Sequence, residues 1–213
     1  MKYYKFLSIM LIFLIVTLFV GCGKKDHDCN KITSVKIGNQ EWMAENLDVS
    51  TFRNGDAIPE EKSNAEWERA GWECRPAWCY YNNNPENGKK YGKLYNWYAV
   101  NDARGLAPDG WHIPTISELE ELKAAVNSDG NTLKTIGRGT GSGAGTNTSG
   151  FSALLSGGRS DYFRSLGKFT SFWSSTESNS TRANYLFLSY GGSIIGFYYG
   201  YKLIGFSVRC VKD

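Results

Sequence analysis

The stretch DGWHIPTISELEEL, residues 109 to 122, constrains the fold more tightly than any other part of this 213-residue chain. Trp111, His112 and Ile113 form an apolar, strand-like run that stops at Pro114. A proline ring disfavours the α conformation in the residue before it, so Ile113 stays extended. Thr115 and Glu118 then make a T-x-x-E capping box: the threonine hydroxyl accepts from an orphan amide of the first turn, and the glutamate reaches back to the threonine amide. Leu119, Leu122 and Val126 line one face behind the cap, which predicts a helix over about residues 116–127. A strand that becomes a helix so abruptly needs a sheet for the strand to join and the helix to cover.

The rest of the body reads mostly as short strands. Val35 and Ile37 alternate with polar neighbours, Gly38-Asn39 makes a turn, and Trp42 and Met43 follow on a second strand. Residues 50 to 90 read as a long irregular excursion, and Leu94, Trp97, Tyr98 and Asn101 sit at helical spacing. Residues 137–150 form a glycine-rich loop without the Gly-Lys-Ser/Thr ending of a phosphate cradle. NYLFLSY and SIIGFYY flank Gly191-Gly192, a two-residue hairpin signal. In the closing GFSVRCVKD, Phe206, Val208 and Cys210 alternate with Ser207 and Arg209. With 15% aromatics and 24 glycines, the expected class is α+β: a twisted antiparallel sheet, two flanking helices and long loops.

The first 21 residues stand apart. Lys2 and Lys5 precede an uncharged, apolar run from Phe6 to Val20, shorter than the roughly 20 residues of a membrane-spanning helix, so the segment reads as a secretory signal. Its Gly21-Cys22 ending resembles the lipobox of bacterial lipoproteins, with Phe19 where leucine is usual and Leu18 one step earlier. That resemblance implies an acylated Cys22, a membrane partner reached through its lipid, and export to the outer membrane. Residues 22–31 then form a tether, whose GKKDHD is loosely similar to the tags of surface-exposed lipoproteins of the Bacteroidetes type; residues 32–213 are the domain. Loss of Lys2 and Lys5 lowers the formal charge from +3 to +1, which argues against a nucleic-acid partner.

Four cysteines remain besides Cys22: Cys29, Cys74, Cys79 and Cys210. In an oxidising compartment they suggest one or two disulfides. Cys74 with Cys79 would staple the CRPAWC loop, Cys29 with Cys210 would tie the chain ends, and sequence leaves the pairing open. No metal or cofactor is expected, since His27 and His112 lack zinc-ligand spacing to these cysteines.

KIGNQEWMAENL, YGKLYNWYAV, GLAPDGWHIPT, GFSAL, FWSSTES and GFSVRCVKD occur in this order, and together they resemble the Fibrobacter succinogenes major paralogous domain. The resemblance covers the body from about residue 32 to the end. Two departures stand out: LLSGGR at Leu154 to Arg159 replaces the family's LPGGYR, and Ala107 stands where some members carry a cysteine. More distantly, HIPTISELEEL and GFSVRC are similar to formylglycine-generating enzymes. That similarity implies a C-type-lectin-like frame in which the first and last strands pair.

Chemistry is sparse on this frame. Formylglycine-type oxidation needs a reactive cysteine pair shortly before the closing motif, and no cysteine lies between Cys79 and Cys210. His112 is the body's single histidine, so Ser174, Ser175 and Glu177 have no second histidine to activate a serine. Asp161 with Glu177 is a conceivable carboxylate pair whose separation sequence does not give. NNNPEN superficially resembles the calcium loop of true lectins, but the order is wrong. The excursion does offer Trp67, Trp72, Trp78, Tyr80 and Tyr81, with Asn82, Asn83, Asn84 and Glu86 to fix hydroxyls. The competing reading makes two or three of these rings core beneath the loop, and Tyr199 and Tyr201 read as a packing stripe. The expectation is a non-catalytic binding module for carbohydrate or a partner protein. A degenerate formylglycine-type or other envelope enzyme and a purely structural envelope protein are the alternatives.

Overall fold

The computed structural model describes residues 32–213. The signal segment, Cys22, the tether and Cys29 lie outside the described residues.

Strands β1 (Ser34–Ile37) and β2 (Gln40–Met43) form the predicted hairpin, turning at Gly38 with its positive φ. The excursion that follows is more ordered than its composition suggests. It holds α1 (Asn64–Trp72), started by a Ser63/Glu66 capping box, β3 (Trp78–Cys79), and α2 (Pro85–Tyr91), capped by Asn84 with Pro85 in its first turn. Next come β4 (Leu94–Tyr95) and α3 (Trp97–Val100). The amphipathic helix predicted here shrinks to four residues because Leu94 and Tyr95 pair with β3 instead. The Asn96 carboxamide caps what remains, accepting from Ala99 N and from Ala77 N across the pair.

The strand–helix join forms as predicted. β5 (Trp111–His112) runs into α4 (Ile116–Ala125), with both halves of the Thr115/Glu118 capping box present. The remaining strands are β6 (Gly158–Arg159), β7 (Phe163–Arg164), β8 (Phe169–Asn179), β9 (Arg182–Ser189), β10 (Gly196–Tyr201) and β11 (Val211–Lys212).

One four-stranded sheet has the order β1-β2-β11-β5, so the closing strand lies between the opening hairpin and the strand of the join. Val211 faces Trp42 on one side and His112 on the other, antiparallel in both cases. The pairing continues in backbone bonds from Met43 N to Cys210 O (3.0 Å) and Leu47 N to Val208 O (2.9 Å). A three-stranded sheet, β10-β9-β8, and two short pairs, β3-β4 and β6-β7, complete a mixed α and β architecture of small antiparallel sheets with few helices. Leu119, Leu122 and Val126 of the α4 segment share a buried cluster with Trp42 and Val211 of the first sheet and with Phe172, Leu186 and Leu188 of the second. Each such side chain contributes about 2 kcal/mol through removal from water. The capping box therefore starts the helix that joins the two sheets.

Two expectations need correction. β9 and β10 do pair, but the segment between them runs over residues 190–195 rather than two glycines. Those glycines serve a different contact: the buried Lys134 ammonium donates to Gly192 O and Ser189 O, and Thr140 N donates to Tyr190 O. A Cβ at Gly143 would come within 2.3 Å of Tyr190 O, so the glycine-rich loop packs backbone against backbone there. The closing segment alternates as predicted, yet both of its faces are buried, with Arg209 at 1% exposure. Among the described residues no carboxylate neutralises its guanidinium, which donates to Met43 O, Phe151 O and Asn46 Oδ1.

Candidate aromatic binding surface

The aromatic residues of the excursion turn mostly inward. Trp67, Trp78 and Tyr81 are buried, and their polar atoms are satisfied inside the protein: Trp67 Nε1 donates to Leu203 O (3.0 Å), and Trp78 Nε1 to Ile58 O (2.8 Å). The Lys93 ammonium lies 4.4 Å from the centre of the Trp78 ring, covering it further. Tyr80 is half-buried with its ring 5.1 Å from Trp78. Asn83 donates to Lys62 O (2.8 Å) and holds the loop rather than pointing outward. Only Trp72 remains open, at 77% exposure, with no aromatic partner beside it among the described residues. The expected docking surface is therefore a satellite core, for the reason that short strands β3 and β4 alternate Trp78, Cys79, Leu94 and Tyr95 into the interior on both faces.

The expected Cys74–Cys79 staple is corrected as well, while the Cys29–Cys210 pairing involves a residue outside the described ones. Cys74, Cys79 and Cys210 form no disulfide with one another among the described residues. Cys74 sits exposed at the end of α1 with φ 55°, while Cys79 is buried in β3. Burial pushes the Cys79 thiol up to about 11, against the lowering influence of Arg159.

An exposed aromatic surface does exist, on the second sheet. Register places Phe169, Trp173, Tyr185, Phe187 and Tyr198 on one face of β8, β9 and β10. The rings touch in sequence: Phe169 to Phe187 at 5.5 Å, Phe187 to Tyr198 at 5.8 Å, Tyr198 to Tyr185 at 6.1 Å, and Tyr185 to the buried Phe206 at 4.8 Å. Tyr198 is outermost, at 53% exposure. Glycines on the same face make room for it. A Cβ at Gly196 would fall 2.5 Å from the Tyr198 ring, and one at Gly200 would fall 3.2 Å from Tyr185. Beside Phe169 the surface dips into a small hollow of ≈ 150 Å³ lined also by Ile204, Phe206, Ser160 and Arg164. Arg164 donates to Asp161 Oδ1 at 2.7 Å, and its guanidinium stacks 3.9 Å from the exposed Tyr162 ring. Hydrogen bonds from Ser160 and Arg164 hold the Asp161 carboxyl below its ordinary value. The result is a half-exposed aromatic row with a charged, hydrogen-bonding rim at one end.

On the opposite face, Tyr199 and Tyr201 are also exposed rather than a packing stripe, with Arg182 stacked 5.3 and 4.7 Å from their ring centres. The signal that separates these tyrosines from the excursion's tryptophans is topological. β10 is the outermost strand of its sheet, and nothing among the described residues covers its flank.

Most of the groups considered for catalysis are engaged elsewhere; the Ser175 hydroxyl, beside His112 and Thr115 at a shallow hollow, is the exception. His112 bonds Glu118 Oε1 through Nε2 (2.7 Å) and Asp213 Oδ1 through Nδ1 (2.8 Å), which occupies both ring nitrogens. Ser174 is buried, and its hydroxyl accepts from Thr176 N. Glu177 is paired with Lys202 at 2.6 Å and Asp161 with Arg164. Among the described residues no group of three or more metal-ligating side chains converges.

The family model of the Fibrobacter succinogenes major domain matches residues 35–212. The chain belongs to that family. In this Fibrobacter succinogenes major domain the matched span runs from β1 to β11, and so contains both sheets and the aromatic row. No curated protein and no solved structure matches the chain.

Proposed function

We propose that this domain is a non-catalytic binding module of the cell envelope, exported and lipid-anchored at Cys22, whose ligand is a carbohydrate stacked on Tyr198. The observation that carries the reading is the continuous row Phe169–Phe187–Tyr198–Tyr185, half-open to solvent and ending at the Asp161–Arg164 pair. Sugar rings present flat C–H faces that pack on aromatic rings, and their hydroxyls need donors and acceptors at the edge. A carboxylate and a guanidinium beside a shallow aromatic floor supply both. The absence of a free base at His112 supports a role in binding over turnover.

The C-type-lectin-like frame is part of the same proposal. The meeting of opening and closing strands, with α4 against the sheets, supports it. Anchoring rests on the Gly21-Cys22 pattern after an apolar run.

A second reading is a protein partner that adds a strand to the outer edge of β10. It is favoured by the end position of β10 and by exposed Tyr199 and Tyr201. A glycan array probed with the purified protein separates the two. Glycan signal lost in Tyr198→Ala and kept in Tyr201→Ala supports the carbohydrate reading, and an array without signal overturns it.

A further inference from the structure

A second concave feature lies away from the aromatic row. It is a polar cleft of ≈ 350 Å³ between the segment after β2 (Glu45, Asn46), the end of α2 (Lys90), and Thr135, with Arg209 beneath. Charges around it do not balance internally. Asp48 is taken by Lys93 at 2.6 Å, and Lys89 by Glu86 at 2.7 Å. Lys90 is exposed and makes no ion pair among the described residues; its ammonium rests 5.2 Å from the Tyr91 ring centre. Arg209 is 1% exposed and donates only to two carbonyls and the Asn46 amide oxygen. Its Nη2 uses one of its two hydrogens on Asn46 Oδ1, at 2.6 Å. The nearest free acid is Glu45, on the exposed rim.

A buried guanidinium is costly unless a charge or a full set of acceptors faces it. Carbonyl acceptors alone leave Arg209 short of that: burial lowers its pKa to about 9. Charge-assisted bonds to an oxyanion would complete its donor set.

We propose that this cleft is an oxyanion site. It takes the carboxylate or sulfate group of a small ligand between Arg209 at the floor and Lys90 at the rim, with the Thr135 hydroxyl, unpartnered among the described residues, as a further donor. Asn46 holds the guanidinium flat by accepting from both Nε and Nη2. The site is independent of the aromatic row, so either can fail without the other.

Titration calorimetry of the purified protein with glucuronate, inorganic sulfate and glucose tests it, covering concentrations up to about ten times a millimolar Kd. Binding of glucuronate or sulfate but not glucose is expected. Glucuronate alone identifies an acidic sugar as the source, and sulfate alone identifies a free inorganic anion. Lys90→Glu should weaken that binding at least about tenfold with an unchanged melting temperature, since Lys90 is exposed and unpaired. Thr135→Val should weaken it less, and Tyr198→Ala should leave it unaltered. The site is overturned if neither anion binds, if glucose binds as well as glucuronate, or if Lys90→Glu binds like the parent.

Discussion

Trp42 and Val211 face each other across β2 and β11, so the opening hairpin and the closing strand share one ladder. Both side chains are buried, in the cluster that α4 caps. Closure is thus part of the core. Val211→Ala is expected to cost about 2 kcal/mol, and deletion of residues 209–213 to abolish cooperative unfolding. Urea denaturation followed by tryptophan fluorescence checks both.

His112 links that same strand to α4 through its two carboxylate partners, which makes the clasp pH-dependent. Burial pulls the His112 pKa down, but its bonds to Glu118 and Asp213 outweigh this and the net shift is upward from 6.5. Burial pushes Glu118 up, but the Thr115 amide and His112 outweigh it and the net shift is downward from 4.5. The histidine's contribution is complete below its unfolded pKa and fades as pH rises through the higher folded value. The glutamate's is complete above its unfolded pKa and fades as pH falls through the lower folded value. The clasp should hold best between about pH 4.5 and 6.5, with melting temperature falling as pH rises through the raised His112 value. His112→Gln should remove that alkaline decline; an unchanged decline in thermal melts would contradict this linkage.

The thiols should differ sharply in reactivity. Burial raises Cys79 to about 11 and Cys210 to about 12, whereas Cys74 is exposed. Of these three, only Cys74 should react with iodoacetamide in the native protein, because the thiolate is the nucleophile. Peptide mapping by mass spectrometry reads this out. Labelling of Cys79 before unfolding would contradict the packing of β3.

The excursion's tryptophans should separate by burial. Trp78→Ala removes a 7%-exposed ring that carries a hydrogen bond to Ile58 O and should cost about 4 kcal/mol. Trp72→Ala removes a ring that is 77% exposed and should stay within about 0.5 kcal/mol. Denaturant midpoints of the two variants decide the matter.

Local signals carried the frame. The Thr115/Glu118 box, the turn at Gly38 and the alternation of Phe206, Val208 and Cys210 all act within a few residues, and each forms as the sequence implies. What the sequence hid was which aromatic rings face water. Trp78 and Tyr198 sit in equally aromatic stretches, but β3 is bonded to β4 on one side and to residues 59–61 on the other, while β10 pairs with β9 alone. The Gly191-Gly192 pair misled for a related reason. Its backbone is used by Lys134 and the glycine-rich loop, a contact between segments about fifty residues apart. Arg209 likewise looked like one member of an alternating strand, and its burial depends on Asn46 and Phe151.

The most direct test of the proposed function is the affinity of the purified protein for its best array glycan, measured by calorimetry beside Tyr198→Ala and Trp72→Ala. Loss of one stacked ring should weaken binding at least about tenfold in Tyr198→Ala, with Trp72→Ala unchanged and both variants folded. Equal affinity in Tyr198→Ala and the parent would contradict the aromatic row as the binding surface.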